Sequence, residues 1–274
     1  MFTSEPLSFR HAPSPSLQTY ARDEVIAYYE TYVELQKPEA TILGVLAASL
    51  PAMRMLEIGI GAGRVTRHFA PRVRDYHGID ICPSMVERCR QAFAGSIPAE
   101  RFSVGDMRAM DGYATGSADL LLVTYNTIDH IGPDERAAFL GTARRLVPAG
   151  GYLCFSSHSI NRLAKWLTLR NWLGYEFWRR PRSWMRKLRQ RARLMELNKA
   201  ALDLQADADC VVITNGTHDD YDLRLCYVRP AAQLRALREA GFASVRVFSL
   251  DSGRELEGEA LESTPDRWLY YLAS

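Results

Sequence analysis

The sequence predicts an α/β fold built on a mostly parallel, doubly wound sheet of seven strands with helices on both faces. Three observations predict it. Apolar runs of strand length alternate with helical patterns between residues 53 and 157. A glycine-rich turn, Gly59-x-Gly61-x-Gly63, follows the first run. An acid, Asp80, stands 21 residues after Gly59, where the second run ends. Regular alternation of strands and helices is the signature of βαβ units. A glycine turn leading into a helix, with an acid at the end of the next strand, is that of a nucleotide site spanning two neighbouring strand ends.

The elements follow in order. Residues 1–19 contain Pro6, Pro13 and Pro15 and read as a poorly ordered arm; Tyr20 to about Leu50 reads as one or two helices carrying Tyr28, Tyr29 and Tyr32. A strand over 53–58 and a helix over 62–70 come next, with Val65 and Phe69 one turn apart on one helix face. The alternation continues with strand 75–80, helix 83–94, strand 101–105, strand 118–125, helix 133–147 and strand 150–157. It resumes in the tail with helix 230–240, ended by Gly241, strand 243–250 and a last strand Trp268 to Leu272, the two strands pairing antiparallel. The predicted core is thus 20–160 with 229–274. Between them, 161–228 reads as an insertion holding four of the five tryptophans, Trp166, Trp172, Trp178 and Trp184. Two helices are expected near 161–173 and 183–205, separated around Pro181, and then a β-hairpin whose Asn215-Gly216 favours a tight turn.

Composition bounds the class of protein. The chain has 274 residues, is 47% hydrophobic, and has a net charge of +2, so it can bury a large core, and its overall charge points to no polyanionic partner. The charge is segregated, however. Asn161 to Ala200 holds 12 Lys or Arg against Glu176 and Glu196, about +10, leaving about −8 elsewhere. Five cysteines form no Cys-x-x-Cys pair or metal-ligand spacing and read as reduced and cytosolic, with no metal expected. No run of about 18 apolar residues exists and the first residues lack a secretion signal, which predicts a cytoplasmic protein without a membrane span.

The glycine spacing discriminates between cofactors. A dinucleotide fingerprint needs a third glycine where this chain has Arg64. Leu56-Glu57-Ile58-Gly59-Ile60-Gly61-Ala62-Gly63 instead closely resembles the first motif of class I S-adenosylmethionine (SAM)-dependent methyltransferases, in which an acid precedes the glycines. Val104-Gly105-Asp106-Met107 extends the likeness at the third strand end. The resemblance covers about 20–160 and 229–274, and it implies a Rossmann-like methyltransferase fold that binds SAM and releases S-adenosylhomocysteine. On that reading Glu57, Gly59, Gly61 and Gly63 hold the methionyl end, Asp80 and Ile81 the ribose, Met85 the same side of the pocket, and Asp106 with Met107 the adenine. Tyr125 and Asn126 border the methyl group, and Tyr28 reaches the cofactor from the N-terminal helices. Asp119 is read as structural.

The chemistry of transfer falls after the fourth and fifth strands, in Thr124 to His130 and in Ser156-Ser157-His158. These segments look like those of a subgroup of small bacterial methyltransferases. Methyl transfer from a sulfonium is an in-line displacement in which alignment supplies much of the catalysis, and a base helps when the acceptor is an alcohol. His130 and His158 are the candidate bases, with Asp129 beside them; Tyr125, His130, His158, Trp166 and Tyr221 are the candidate acceptor-binding residues. The basic insertion is read as a lid over a substrate pocket. The fourth strand end lacks the paired prolines of DNA amine methyltransferases, and no RNA-binding module is appended. The leading expectation is therefore N- or O-methylation of a small-molecule acceptor, with nucleic acid unfavoured as a partner and a homodimer left open. The alternatives are a methyltransferase acting on RNA or on a carrier- or membrane-bound substrate through the insertion, a noncatalytic SAM-binding protein and, last, a dehydrogenase.

Overall fold

A computed structural model of the chain describes residues 15–161, 163, 192–199, 208–217 and 220–274. The central sheet has seven strands: β1 (Arg54–Ile58), β2 (Asp75–Asp80), β3 (Phe102–Val104), β4 (Leu120–Val123), β5 (Tyr152–His158), β8 (Val245–Ser249) and β9 (Trp268–Ala273). Their spatial order is β3-β2-β1-β4-β5-β9-β8. The first five are parallel, and β9 is antiparallel to both β5 and β8. The chain winds outward from β1 to β3, then back past β1 to β4, so the reversal of strand order falls between β1 and β4. Open sheets bind ligands at this switch point, beyond the carboxyl ends of the strands.

β1 and β4 are buried along nearly their whole length, as Met-Leu-Glu-Ile and Leu-Leu-Leu-Val runs require when helices cover both faces. One face packs Phe139, Leu140, Ala143 and Leu146 of α6 (Pro133–Leu146) together with Leu237 of α7 (Pro230–Glu239). The other packs α3 (Lys37–Leu46), α4 (Thr66–Phe69) and α5 (Pro83–Ala92) through Ile42, Phe69, Val86 and Cys89. Asp119 clamps the amino end of the sheet: its carboxylate accepts from the Arg54 N–H at 2.8 Å and from its guanidinium at 2.8 and 2.9 Å.

Several expectations need correction. The N-terminal helical region starts earlier than Tyr20, with α1 (Pro15–Tyr20) and α2 (Asp23–Glu30), and the proline at the first position of α1 has no N–H to satisfy there. The first crossover helix is a single turn, because Gly61 to Val65 stay in the turn that precedes it. A short helix, α8 (Gly258–Ser263), separates the two antiparallel tail strands. In the insertion, residues 192–199 are helical, β6 (Cys210–Thr217) pairs with β7 (Asp220–Val228), and the tryptophans, Trp166 among them, lie outside the described residues. Asn215 and Gly216 do not make the hairpin turn: they lie inside β6, where a register shift between Asn215 and Thr217 absorbs the extra residue.

The cysteine reading is corrected too. Cys210 and Cys226 form a disulfide across the hairpin, with Cα atoms 6.5 Å apart, while Cys82, Cys89 and Cys154 are free and buried. Neighbouring antiparallel strands bring together two cysteines 16 residues apart, a pairing no local spacing rule detects. Reduced cysteines therefore no longer argue for the cytosol at these two positions. Among the described residues, no helix is long and apolar enough to cross a membrane, and no group of three His, Cys, Asp or Glu side chains is set to hold a metal ion.

Candidate functional site

The turns that follow β1, β2, β3 and β4 converge on one pocket. Its wall contains Glu57, Gly59 and Gly61 from β1 and the turn after it, Asp80, Ile81 and Met85 from the end of β2 to the start of α5, Asp106, Met107 and Arg108 from the turn after β3, and Tyr125, Thr127 and His130 from the segment after β4. Tyr20, Tyr29 and Tyr32 close it from α1, α2 and the loop after α2.

The glycine turn is tightly constrained. Gly59 and Gly63 have φ of 76° and 80°, and an added Cβ would stand 2.5 Å from the Thr127 hydroxyl oxygen and 2.4 Å from the Phe93 ring, respectively. A Cβ on Gly61 would meet nothing within 4 Å, so the backbone presents an open edge to the pocket there. Asp80 binds this turn to the next. Its carboxylate accepts the Gly61 N–H at 2.9 Å and the Cys82 N–H at 2.8 Å. Burial pushes its pKa up, and the N–H groups of Cys82, Gly61 and Ile81 act against that. A carboxylate offers about four acceptor positions, so with three N–H groups on it one remains for a ligand hydroxyl.

Glu57 lines the pocket and also has partners beneath it. One of its carboxylate oxygens accepts from the Thr66 hydroxyl at 2.9 Å and the Tyr76 hydroxyl at 2.8 Å, and complete burial raises its pKa to about 7. It braces the turn from beneath as well as lining the pocket. Asp106 is gripped by Arg108, whose guanidinium reaches both carboxylate oxygens at 2.6–3.0 Å.

Arg64 entered the sequence argument only as the residue that breaks a dinucleotide pattern. In the structure it lines the pocket, paired through two nitrogens with the buried Glu39 and lying 5.1 Å from the centre of the Tyr125 ring. Glu39 in turn accepts from the Tyr270 hydroxyl at 2.6 Å and the Gln36 N–H at 2.8 Å, which ties α3 to the last strand. No local motif marks Glu39 as the partner, because it lies 25 residues away on another element.

Tyr28 is a correction. It is 42% exposed, hydrogen-bonds Tyr32, and does not line the pocket. Helical periodicity turns its neighbour Tyr29 inward instead, and Tyr29 meets Tyr20 and Tyr125 edge to face at 5.8 and 5.9 Å. Tyr20 was assigned to the edge of a helix and given no role. Burial raises its pKa to about 12, and its hydroxyl lies 3.1 Å from His130 Nε2.

After β4 the chain takes two successive left-handed residues, Tyr125 (φ 55°) and Asn126 (φ 63°), a conformation that Asn tolerates and that is strained for Tyr. The Asn126 N–H is held by the Ser156 hydroxyl at 2.7 Å, and its side-chain Oδ1 is buried with no partner among the described residues. The short 3-10 turn Thr127–His130 places one of the two histidines, and the end of β5 the other. His130 lies in the pocket wall, and burial lowers its pKa to about 4. His158, at the end of β5, pairs its Nδ1 with Asp129 at 2.7 Å, and its ring packs against Tyr227 at 4.7 Å and Trp268 at 5.6 Å. Asp129 is fully buried. Burial raises its pKa, but His158 and Arg136 outweigh that and hold it below the usual carboxylate range. Arg136, Tyr227 and Trp268 carried no sequence signal for this role. Trp166 lies outside the described residues; Tyr221 falls within β7, its side chain not among those described.

Known proteins share this architecture. Residues 55–151 match a family model described as a methyltransferase domain. A carboxy-S-adenosyl-L-methionine synthase from Pseudomonas fluorescens (strain SBW25) is 30% identical over 173 residues, 56% of this chain and 68% of that protein. A hybrid PKS-NRPS synthetase from Macrophomina phaseolina (strain MS6) is 29% identical over 148 residues; the match covers 50% of this chain but only 4% of that much longer protein. Among solved structures, the CcbJ methyltransferase from Streptomyces caelestis superposes with a TM-score of 0.58 at 16% identity, covering 96% of this chain and 98% of that one. A DhpI–SAH complex gives a TM-score of 0.56 at 16% identity, covering 95% of each chain. The chain belongs to the class I SAM-dependent methyltransferases, with SAM as its cofactor.

Proposed function

We infer that the protein transfers a methyl group from SAM to a nitrogen or oxygen of a small-molecule acceptor. The observation that carries this reading is the convergence of four strand-end turns on one pocket, with Asp80 offering a free acceptor position and Gly61 leaving the space beside it clear of any side chain. Bound SAM supplies an electrophilic methyl on a sulfonium, with its ribose against Asp80 and its methionyl end along the glycine turn. Tyr125 and Thr127 then border the transferred group. The acceptor approaches from the side of Asn126 and His158, where Tyr227 of β7 packs on the His158 ring.

Of the two histidines, His158 is the better base. Asp129 orients its ring and stabilises an imidazolium, whereas His130 is engaged with Tyr20 and resists protonation. Calorimetry tests the reading: S-adenosylhomocysteine is expected to bind far more tightly than NADH, and tritium from methyl-labelled SAM is expected in a low-molecular-weight product. Tighter binding of NADH, or label recovered only on RNA, would overturn it.

A further inference from the structure

The glycine turn, α2, α3 and the last strand meet around one ring of the pocket wall, which borders the transferred methyl, provided the methyltransferase reading above holds. That ring belongs to Tyr125, whose left-handed backbone persists in a tyrosine only where the surroundings hold it. Three side chains surround it. The Tyr29 ring stands steeply inclined to it at 5.9 Å and the Trp268 ring at 6.1 Å, while the Arg64 guanidinium lies over it, 5.1 Å from the ring centre.

Two of these three are fixed from a single place, the start of α3. Glu39 pairs with Arg64 through both carboxylate oxygens, Oε1 meeting Nη2 at 2.6 Å. Gln36, three residues earlier, accepts the Trp268 indole N–H on its side-chain oxygen at 3.2 Å. The two are tied to each other as well. The Gln36 backbone N–H donates to Glu39 Oε2 at 2.8 Å, and the Tyr270 hydroxyl lies 2.6 Å from Glu39 Oε1 and 2.7 Å from Gln36 Oε1.

Stability alone gives little reason for this construction. Glu39 is 2% exposed and the Arg64 side chain 11%. Burying an ion pair takes two charges out of water, and apolar residues of similar volume often serve a fold as well or better. What the pair supplies is direction. Guanidinium and carboxylate meet through two parallel contacts, so the group above Tyr125 has one orientation. Direction matters because the donor is a sulfonium, a cation, whereas its demethylated product is neutral at sulfur. An aromatic ring attracts a cation only when the two lie within about 6 Å in the right geometry.

We propose that Gln36 and Glu39 are positioning residues that act through Trp268 and Arg64 to hold the Tyr125 ring against the methylsulfonium of SAM. The protein thereby favours the charged donor over S-adenosylhomocysteine, which helps the spent cofactor to leave.

The test needs no acceptor. Calorimetry on the intact chain with SAM and with S-adenosylhomocysteine gives the ratio of the two affinities. Tyr125→Leu should lower the preference for SAM about three- to tenfold, and Gln36→Ala and Glu39→Gln should each lower it about twofold or more. On the Tyr125→Leu background neither should lower it further, because both act through that ring. A merely structural role would weaken both ligands alike and leave the ratio where it was, which overturns the proposal. An equal fall on the Tyr125→Leu background overturns it too, since an unpaired Arg64 would then be repelling the sulfonium directly. Where Glu39→Gln or Tyr125→Leu does not fold, Gln36→Ala decides alone: it changes no charge, and an unaltered ratio sinks the idea. Failure of the unaltered chain to bind either ligand would instead sink the methyltransferase reading itself.

Discussion

At the scale of single residues, Asp80 and Gly63 constrain the glycine turn, one by hydrogen bonds and the other by its lack of a side chain. Asp80 has two duties, since the N–H groups it accepts belong to the turns on either side of the ligand crevice. Asp80→Ala should weaken S-adenosylhomocysteine binding by about 1.5–3 kcal/mol, the loss of a charge-assisted hydrogen bond, and should also lower the melting temperature because the N–H groups of Gly61 and Cys82 lose their acceptor. Calorimetry and thermal unfolding separate the two effects; unchanged affinity would remove Asp80 from the ribose site. At Gly63 the constraint is steric. Gly63→Ala places a Cβ against the Phe93 ring at a positive φ, and a destabilisation of about 2–4 kcal/mol is expected from denaturant unfolding. The glycine motif announces these residues because their spacing is local. Arg64, Glu39 and Arg136 escape such reading: each acts through a partner fixed only by tertiary contact.

Among the elements, the alternating core was readable because buried parallel strands and their helices leave apolar periods in the chain, and Met53 to His158 obeys them closely. What the periods do not encode is how elements end. The fourth strand stops at Val123, and the next residues turn left-handed where continued extension is the natural reading of Thr124-Tyr125. The hairpin hides a bulge and a disulfide for a related reason: both depend on which residue of β7 faces which residue of β6. The disulfide makes a direct prediction. In denaturant without reductant, thiol titration should count three reactive cysteines, and a count of five would exclude the bond. Replacing Cys210 and Cys226 by alanine should destabilise the hairpin by about 3 kcal/mol, the chain-entropy value for a closed loop of about this size. The effect should show as earlier proteolysis near β6 and β7.

For the whole molecule, buried titratable groups set the response to acid. Burial lowers His77 and His130 to about 4 from an ordinary 6.5, and raises Glu57 to about 7 from 4.5. Between pH 6.5 and 4.5 the unfolded chain therefore binds two imidazole protons that the native fold refuses, while the native fold keeps one carboxyl proton that the unfolded chain has lost. The histidines' contribution is present above pH 6.5 and fades as pH falls toward 4; protonation of Glu57 offsets half of it. The balance is about one proton, so stability should fall by about 1.4 kcal/mol per pH unit across this window. Urea unfolding at several pH values checks the slope, and a flat profile would mean that these groups are not buried as described. One more feature acts at this scale. Ser159, where the chain leaves β5, and Val228, where it returns, are joined by a bridge, so the inserted stretch departs and re-enters at a single point on the sheet. A polymer whose two ends already touch places no demand on the frame that holds it. The stretch can lengthen, shorten or be exchanged wholesale while the strands, the glycine turn and Asp80 keep their places. Such a frame is suited to diversification, with one SAM-binding scaffold carrying interchangeable cassettes beside the same pocket.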